Sequence, residues 1–190
     1  MTEIRRLVHS PVGPILLSAD AWGRLTGAHF GADPGAAAPH HPDGTAEAGR
    51  RVLDATEAQL GEYFEGRRTC FEIPLAMRGS AFQRRVWAQL QQIPFGSTTS
   101  YGQLALHIGH PGAARAVGHA NARNPIAVIV PCHRVIGSSG GLTGYGGGLT
   151  TKQHLLDLEA RGGASARNSP RIVGAVRTAT TEVEARRPAR

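Results

Sequence analysis

The feature that most constrains this chain is a change of hydrophobic period near residue 74. Before it, short aliphatic runs alternate with turn residues. Ile4–His9, Ile15–Ser18 and Leu25–Phe30 read as strands, separated by Pro11-Val-Gly-Pro14 and Ala21-Trp-Gly23 turns. A helix is expected over Ala46–Phe64, with Val52, Leu53, Leu60, Tyr63 and Phe64 facing that sheet. Gly31–Gly44, rich in Gly, Ala, Pro and His, reads as a loop, and Phe71–Leu75 as a short strand or linker.

After residue 74 the punctuation becomes helical. Ser80 is a good N-cap for Ala81–Gln91, which sets Phe82, Val86, Trp87 and Leu90 on one face. Ser100 with Gln103 forms a capping box for Tyr101–Ile108. The turn Gly109-His-Pro-Gly112 follows, and Pro111 suits the start of a second short helix, Ala113–Ala122. Two short helices joined this way resemble a helix-turn-helix, although many helical hairpins bind no DNA. Ala127–Val130 reads as a buried strand that Pro131, lacking a backbone donor, should end. A glycine-rich loop runs to Gly148, and Thr150 with Gln153 is expected to cap a last helix, Thr151–Ala160. The predicted class is α+β. A small N-terminal β-sheet and helix domain spans 1–73, a mainly helical domain spans 74–161, and a basic, disordered tail spans 162–190.

At 190 residues the chain can bury a core without disulfide or metal staples. Its two cysteines, Cys70 and Cys132, exclude a secreted disulfide framework. No paired Cys or His spacing suggests zinc, so no metal or cofactor is expected. Met1–His9 lacks the apolar core of a signal peptide, and the longest purely apolar run, Ile126–Val130, is too short to span a bilayer. The expected location is the cytoplasm, with Cys132 a free thiol. The net charge of +7 is uneven. Residues 1–73 carry 7 basic and 10 acidic side chains, 74–160 carry 7 and 2, and 161–190 carry 7 and 2. Positive charge therefore collects in the second half, as a polyanion partner requires, although a solvated basic surface has the same composition.

Cys132 is the residue with chemistry to offer. A free thiol has a pKa of about 8.5, so a reactive one needs a base or a positive environment. His133 and Arg134 follow it directly. In an extended strand Cys132 and His133 would point to opposite faces, whereas a tight turn or short helix brings them together. A carboxylate would orient the imidazole, and Asp157 and Glu159 are the acidic residues nearest in sequence. Taken alone, a Cys-His pair is more often a small buried hydrophobe beside a surface histidine.

The surrounding motifs change that balance. Ile93-Pro-Phe-Gly96, Ser100-Tyr-Gly-Gln103, Ala113-Ala-Arg-Ala-Val-Gly118, Asn124-Pro125, Ile129-Val-Pro-Cys-His-Arg-Val-Ile136 and Gly144-Tyr-Gly-Gly-Gly148 stand in one order and spacing. That pattern resembles the O6-alkylguanine-DNA alkyltransferases. The resemblance is close over residues 80–160. It is loose over the first third, which would be the family's ribonuclease-H-like domain, and it does not reach the tail.

The resemblance implies direct reversal of alkylation damage. Cys132 would take the alkyl group from O6-alkylguanine, and from O4-alkylthymine, in one irreversible turnover. It selects Glu159 over Asp157 as the partner of His133, which would take the thiol proton through a water. Asn124 would brace the segment carrying the cysteine. Tyr101 would donate to guanine N3 as the base leaves. Backbone groups at Val135, Tyr145, Gly146 and Gly147 would hold the base edge. Many relatives have Ser in place of Gly146, so a backbone amide must serve there. The partner would be duplex DNA bound through its minor groove by a winged-helix-like element, with a monomer, or cooperative copies, as the binding unit. Arg115 would replace the flipped base in the stack, Ala113, Ala114 and Gly118 would allow close approach, and Ser100 would face the DNA. Some relatives carry a basic residue at Gly112, so one phosphate contact is absent here.

Three other readings compete. A non-enzymatic relative that only flags alkylated DNA would lack Cys132. A cysteine hydrolase with a Cys-His-Glu triad would turn over without DNA and leave the helix-turn-helix pair unexplained. An alkylation-responsive regulator would carry an additional cysteine-rich module.

Overall fold

The computed structural model describes residues 3–31 and 47–166. The loop expected over 31–44, His40 and His41 included, lies beyond Gly31 outside the described residues, as does the tail from 167. Strands β1 (Glu3–Val8), β2 (Ile15–Asp20) and β3 (Leu25–Phe30) form an antiparallel sheet in that order. β2 is central and buried along its whole length. Asp20 closes the β2–β3 turn, where its carboxylate accepts from the Trp22 and Arg24 amides at 3.1 and 3.0 Å and from Arg24 Nε at 2.8 Å.

Helix α1 (Glu47–Phe64) covers the sheet with Gly49, Val52, Leu53, Thr56, Leu60 and Tyr63. Each fully buried aliphatic side chain contributes about 1.5–3 kcal/mol. The approach is close at Gly49, where a Cβ would stand 2.8 Å from Ile4 Cδ1 and 2.9 Å from the Asp20 carbonyl oxygen.

The second half is built on α2 (Ala81–Leu90), α3 (Tyr101–His107), α4 (Ala114–Ala122) and α5 (Leu149–Ala166). Ser80 and Ser100 both form full capping boxes, with Gln83 and Gln103. Trp87 Nε1 donates to the Ala120 carbonyl at 2.9 Å and so ties α2 to α4. Strand β4 (Thr99–Ser100) runs parallel to β5 (Val135–Ile136), which places the start of α3 beside the segment that follows Cys132. The two halves share one core, and isolated parallel bridges pair Leu25 with Leu75 and Ala28 with Ile126. Among the described residues no helix is long and apolar enough to cross a membrane.

Several elements differ from expectation. Val128–Val130 are buried, but the run Ala127–Val130 is a sequence of turns, not a strand. Ile126 makes one bridge to β3, and then the Val130 amide bonds back to the Ile126 carbonyl at 3.0 Å. Val128 adopts φ 70°, a strained backbone for a β-branched residue. Helix α4 begins at Ala114, with Ala113 as an N-cap that has no side-chain hydrogen bond and Pro111 in the preceding turn. Helix α5 begins at Leu149, so Thr150 lies inside its first turn. Gln153 reaches forward to Asp157 at 2.8 Å instead of capping. The same helix continues to Ala166, so the first residues assigned to the tail are helical.

Candidate active site

Pro131 ends the turn segment, and Cys132–Arg134 form one turn of 3-10 helix. This backbone is held from two sides. Asn124 Nδ2 donates to the carbonyls of Val130 at 2.8 Å and Ile126 at 3.3 Å, while its Oδ1 accepts from the Ile126 amide at 3.1 Å. Asn121 Nδ2, from α4, donates to the Cys132 carbonyl at 3.3 Å. Asn124 thus bonds the segment that leads into the cysteine, and Asn121 bonds the cysteine carbonyl itself, a contact that the motifs did not suggest.

Cys132, His133 and Arg134 are all buried. Burial pushes the Cys132 thiol up, while Asn124 and the Lys152 charge pull it the other way. His133 Nε2 donates to Glu159 Oε1 at 2.8 Å. Its Nδ1 is buried with no hydrogen-bond partner. Burial lowers the His133 pKa, Glu159 opposes that, and the Arg134 and Lys152 charges add to it, so the ring is held neutral. With the Nε2 proton turned toward the carboxylate, Nδ1 is left as the basic atom.

Glu159 is the hub of the site. Beyond His133, its carboxylate accepts from Arg134 Nε and Nη2 at 2.9 and 2.8 Å, from the Gly96 amide at 3.0 Å and from the Tyr63 hydroxyl at 2.9 Å. Burial would raise this carboxyl, but hydrogen bonds from His133 and Arg134, with the Arg134 charge, outweigh it and bring the pKa to about 2. Arg134 also donates to the Ile93 carbonyl at 2.6 Å.

Lys152 holds the other side. It is fully buried, and its Nζ donates to the carbonyls of Val135 at 2.6 Å and Thr143 at 2.9 Å. The glycine-rich loop is thereby fastened to β5. Gly147 packs against the first sheet so closely that a Cβ would stand 2.7 Å from the Phe30 ring.

Cys132 opens into a pocket of about 120 Å³ shared with Asn121, Asn124, Tyr145, Gly146, Gly147 and Phe30. A larger groove of about 560 Å³ lies beyond it, between Tyr101, Ala114, Arg115, Gly118, Ser138 and Thr143. Ala122 and Gly144 line both, so the two are contiguous. Thr143 Oγ1 donates to the Tyr101 hydroxyl at 3.0 Å, which leaves the phenolic hydrogen for another acceptor. Gly118 faces the Tyr101 ring. Ser100 Oγ caps α3, and Ala113 stands at the N-terminus of α4 rather than within it.

The structure therefore gathers Cys132, His133, Glu159 and Asn124 with Val135, Tyr145, Gly146 and Gly147 on the inner side, and Tyr101, Ala114, Arg115 and Gly118 along the outer groove. Sequence reasoning missed Lys152, Arg134 as the counter-charge of Glu159, Tyr63 and Asn121. Only Lys152 left a signal: it is the single lysine among 20 arginines. A compact ammonium suits a buried pair of carbonyls in a way a planar guanidinium does not.

A small antiparallel sheet with its covering helix, joined to a helical unit that buries a Cys-His-Glu array, is the architecture of a two-domain protein built around one thiol. Residues 4–77 match the family described as 6-O-methylguanine DNA methyltransferase, ribonuclease-like domain, and residues 81–161 match its DNA binding domain. The chain belongs to this family. It is 49% identical over 166 residues to the methylated-DNA--protein-cysteine methyltransferase of Mycobacterium tuberculosis, covering 81% of this chain and 90% of that one. It is 48% identical over 153 residues to the protein of the same name from Methanosarcina acetivorans, covering 80% and 96%. The solved structure of Mycobacterium tuberculosis OGT in complex with DNA superposes with a TM-score of 0.71 at 46% identity, covering 83% of this chain and 93% of that one.

Proposed function

We propose that this protein repairs O6-alkylguanine in DNA by moving the alkyl group to Cys132, once per molecule. The observation that carries the proposal is the His133 ring. Its Nε2 is committed to Glu159 and its Nδ1 has no hydrogen-bond partner, on the residue that follows a buried cysteine whose pocket continues into the Tyr101–Arg115 groove.

His133 Nδ1 takes the Cys132 proton through a water, and ionised Glu159 stabilises the imidazolium. The thiolate sulfur attacks the alkyl carbon in line, the S–C bond forms and the C–O bond breaks, with its electron pair leaving on guanine O6. Tyr101 donates to guanine N3 as charge develops on the base. The proton then passes to the released guanine, and the thioether remains on Cys132. Asn124 holds the cysteine backbone. Amides of the loop around Tyr145, Gly146 and Gly147, with the Val135 backbone, hold the base edge.

A base stacked in a duplex is out of reach of a buried thiol, so the lesion must be flipped. Helix α4 enters the minor groove, Arg115 occupies the vacated stack, and Ala113, Ala114 and Gly118 keep the helix surface low. Ser100 lies at the DNA-facing start of α3. Repair must work in any sequence context, so phosphate contact and shape outweigh base readout. The protein acts as a monomer in the cytoplasm, and the same pocket admits O4-alkylthymine. The working units are residues 1–73 and a second unit from 74 to the end of α5 at Ala166, with basic residues beyond.

The test is incubation with duplex DNA carrying O6-methylguanine, followed by peptide mass analysis. One methyl group on the Cys132 peptide and one repaired lesion per protein are expected. Repeated turnover, or label on another residue, overturns the proposal; turnover without DNA would indicate a hydrolase.

A further inference from the structure

Tyr63 belongs to α1, in the first domain, yet its hydroxyl reaches Glu159 Oε1 at 2.9 Å. That is the same oxygen to which His133 Nε2 donates at 2.8 Å and Arg134 Nη2 at 2.8 Å. The Tyr63 ring is fully buried and packs against Phe64, Phe71 and Phe95 at centroid distances of 5.3, 5.4 and 6.1 Å. Those three neighbours are phenylalanines. The ring that points at Glu159 is the one that carries a hydroxyl. Packing alone would be served by a fourth phenylalanine, and a buried hydroxyl is costly unless it is hydrogen-bonded.

We propose that Tyr63 is a positioning residue of the alkyl-acceptor site, supplied by the first domain: its hydroxyl fixes Glu159 Oε1 against His133 and draws off part of that oxygen's hold on the imidazole. The inference rests on the acceptor role of Cys132. An oxygen that accepts three hydrogen bonds gives less to each. A carboxylate relieved of the Tyr63 hydroxyl would hold His133 more strongly and favour imidazolium, and a protonated ring cannot take the thiol proton. Tyr63 stays protonated, because burial and Glu159 both raise it far above the ordinary phenol range. It is therefore a permanent donor. The charged and titratable groups around the pair are Arg134, Lys152, Cys132 and Tyr145, and all of them lie on the second domain. Tyr63 is the contribution of the first domain.

The test measures single-turnover transfer from free O6-benzylguanine to Cys132, by intact mass, between about pH 5 and 9, in wild type, Tyr63→Phe and Phe71→Leu. The free base removes any effect of pH on DNA binding. In Tyr63→Phe the acid limb of the rate profile should move up by about 0.5–1 pH unit. Phe71→Leu, which loosens the packing around the same ring, should lower the melting temperature and leave the limb where it is. Superimposable limbs in wild type and Tyr63→Phe overturn the role of Tyr63 while leaving Cys132 as acceptor. A wild-type protein that takes up no benzyl group at any pH overturns the acceptor role and this inference with it. If Tyr63→Phe does not fold, wild-type protein labelled with 13C at tyrosine Cζ carries the test. The Tyr63 resonance should shift as His133 titrates, and a resonance that does not move overturns the proposal.

Discussion

His133 Nε2 and Glu159 Oε1 lie 2.8 Å apart across the 3-10 turn and α5, while the second nitrogen of the same ring is buried without a partner. The pair is not isolated, because Arg134 makes two hydrogen bonds to the same carboxylate. Its charge pattern is one anion, one cation and one neutral base.

Glu159→Gln should therefore damage two things together. The imidazolium formed during transfer loses its counter-charge, which should slow alkylation of Cys132 by about 10²–10⁴-fold. Arg134 is left buried without its anion, which should cost about 3–5 kcal/mol of stability. Stopped-time mass analysis reads the first and urea unfolding the second. A variant that loses rate while keeping full stability would mean that the Arg134 pairing contributes little to the fold.

Stability should fall on acidification, and the sign follows from two groups. Glu159 titrates at about 2 in the folded protein, below the ordinary carboxylate value of about 4.3. Between those values the unfolded chain binds more protons, so the stabilisation is complete above about pH 4.5 and lost as pH falls toward 2. His133 is lowered from its ordinary value by burial, so the unfolded chain also binds more protons below about pH 6.5. Urea midpoints should hold steady from pH 8 to 7, decline below about 6.5 and fall further below about 4.5. A midpoint that rises between pH 7 and 5 contradicts this account.

Lys152→Met removes both carbonyl contacts of a buried ammonium. The loop at Thr143 is then untied from Val135, and Cys132 loses one of the groups that lower its pKa. Transfer to Cys132 should slow by about tenfold or more at pH 7 and recover in part at higher pH. Lys152→Arg should not rescue it, because the planar guanidinium does not fit two carbonyls spaced for a compact ammonium. Full activity in the arginine variant would show that charge alone matters there.

Arg115 stands on the outer groove, away from the thiol pocket. Arg115→Ala should reduce repair of duplex lesions by about 10–100-fold and leave reaction with free O6-benzylguanine unchanged. Equal losses on both substrates would place Arg115 in the chemistry rather than in base flipping.

The secondary structure was largely legible, because it rests on local signals. Capping boxes at Ser80 and Ser100 and the alternating pattern of Leu25–Phe30 act over a few residues, and each element formed close to its predicted bounds. Where local pattern was ambiguous, tertiary context decided. The run Ala127–Val130 has the composition of a strand, but the Asn124 side chain binds the Val130 carbonyl and the backbone of Ile126, and the run is a loop with Val128 at positive φ. Thr150 and Gln153 have capping spacing, but α5 starts one residue before Thr150.

The sequence by itself determined that a Cys-His-Arg triplet follows a proline, that the second half is basic and helical, and that its motifs are those of an alkyltransferase. Those properties are linear, and composition or spacing carries them. Only the tertiary structure decided how the thiol's surroundings are wired. Glu159, 26 residues from His133, and Tyr63, 96 residues from Glu159, meet on one oxygen because α1 and α5 pack around the same core. Lys152 reaches Val135 and Thr143 because α5 runs behind the loop. Hydrogen bonds between residues so far apart leave no periodic trace in the chain, since only tertiary packing brings the groups within bonding distance.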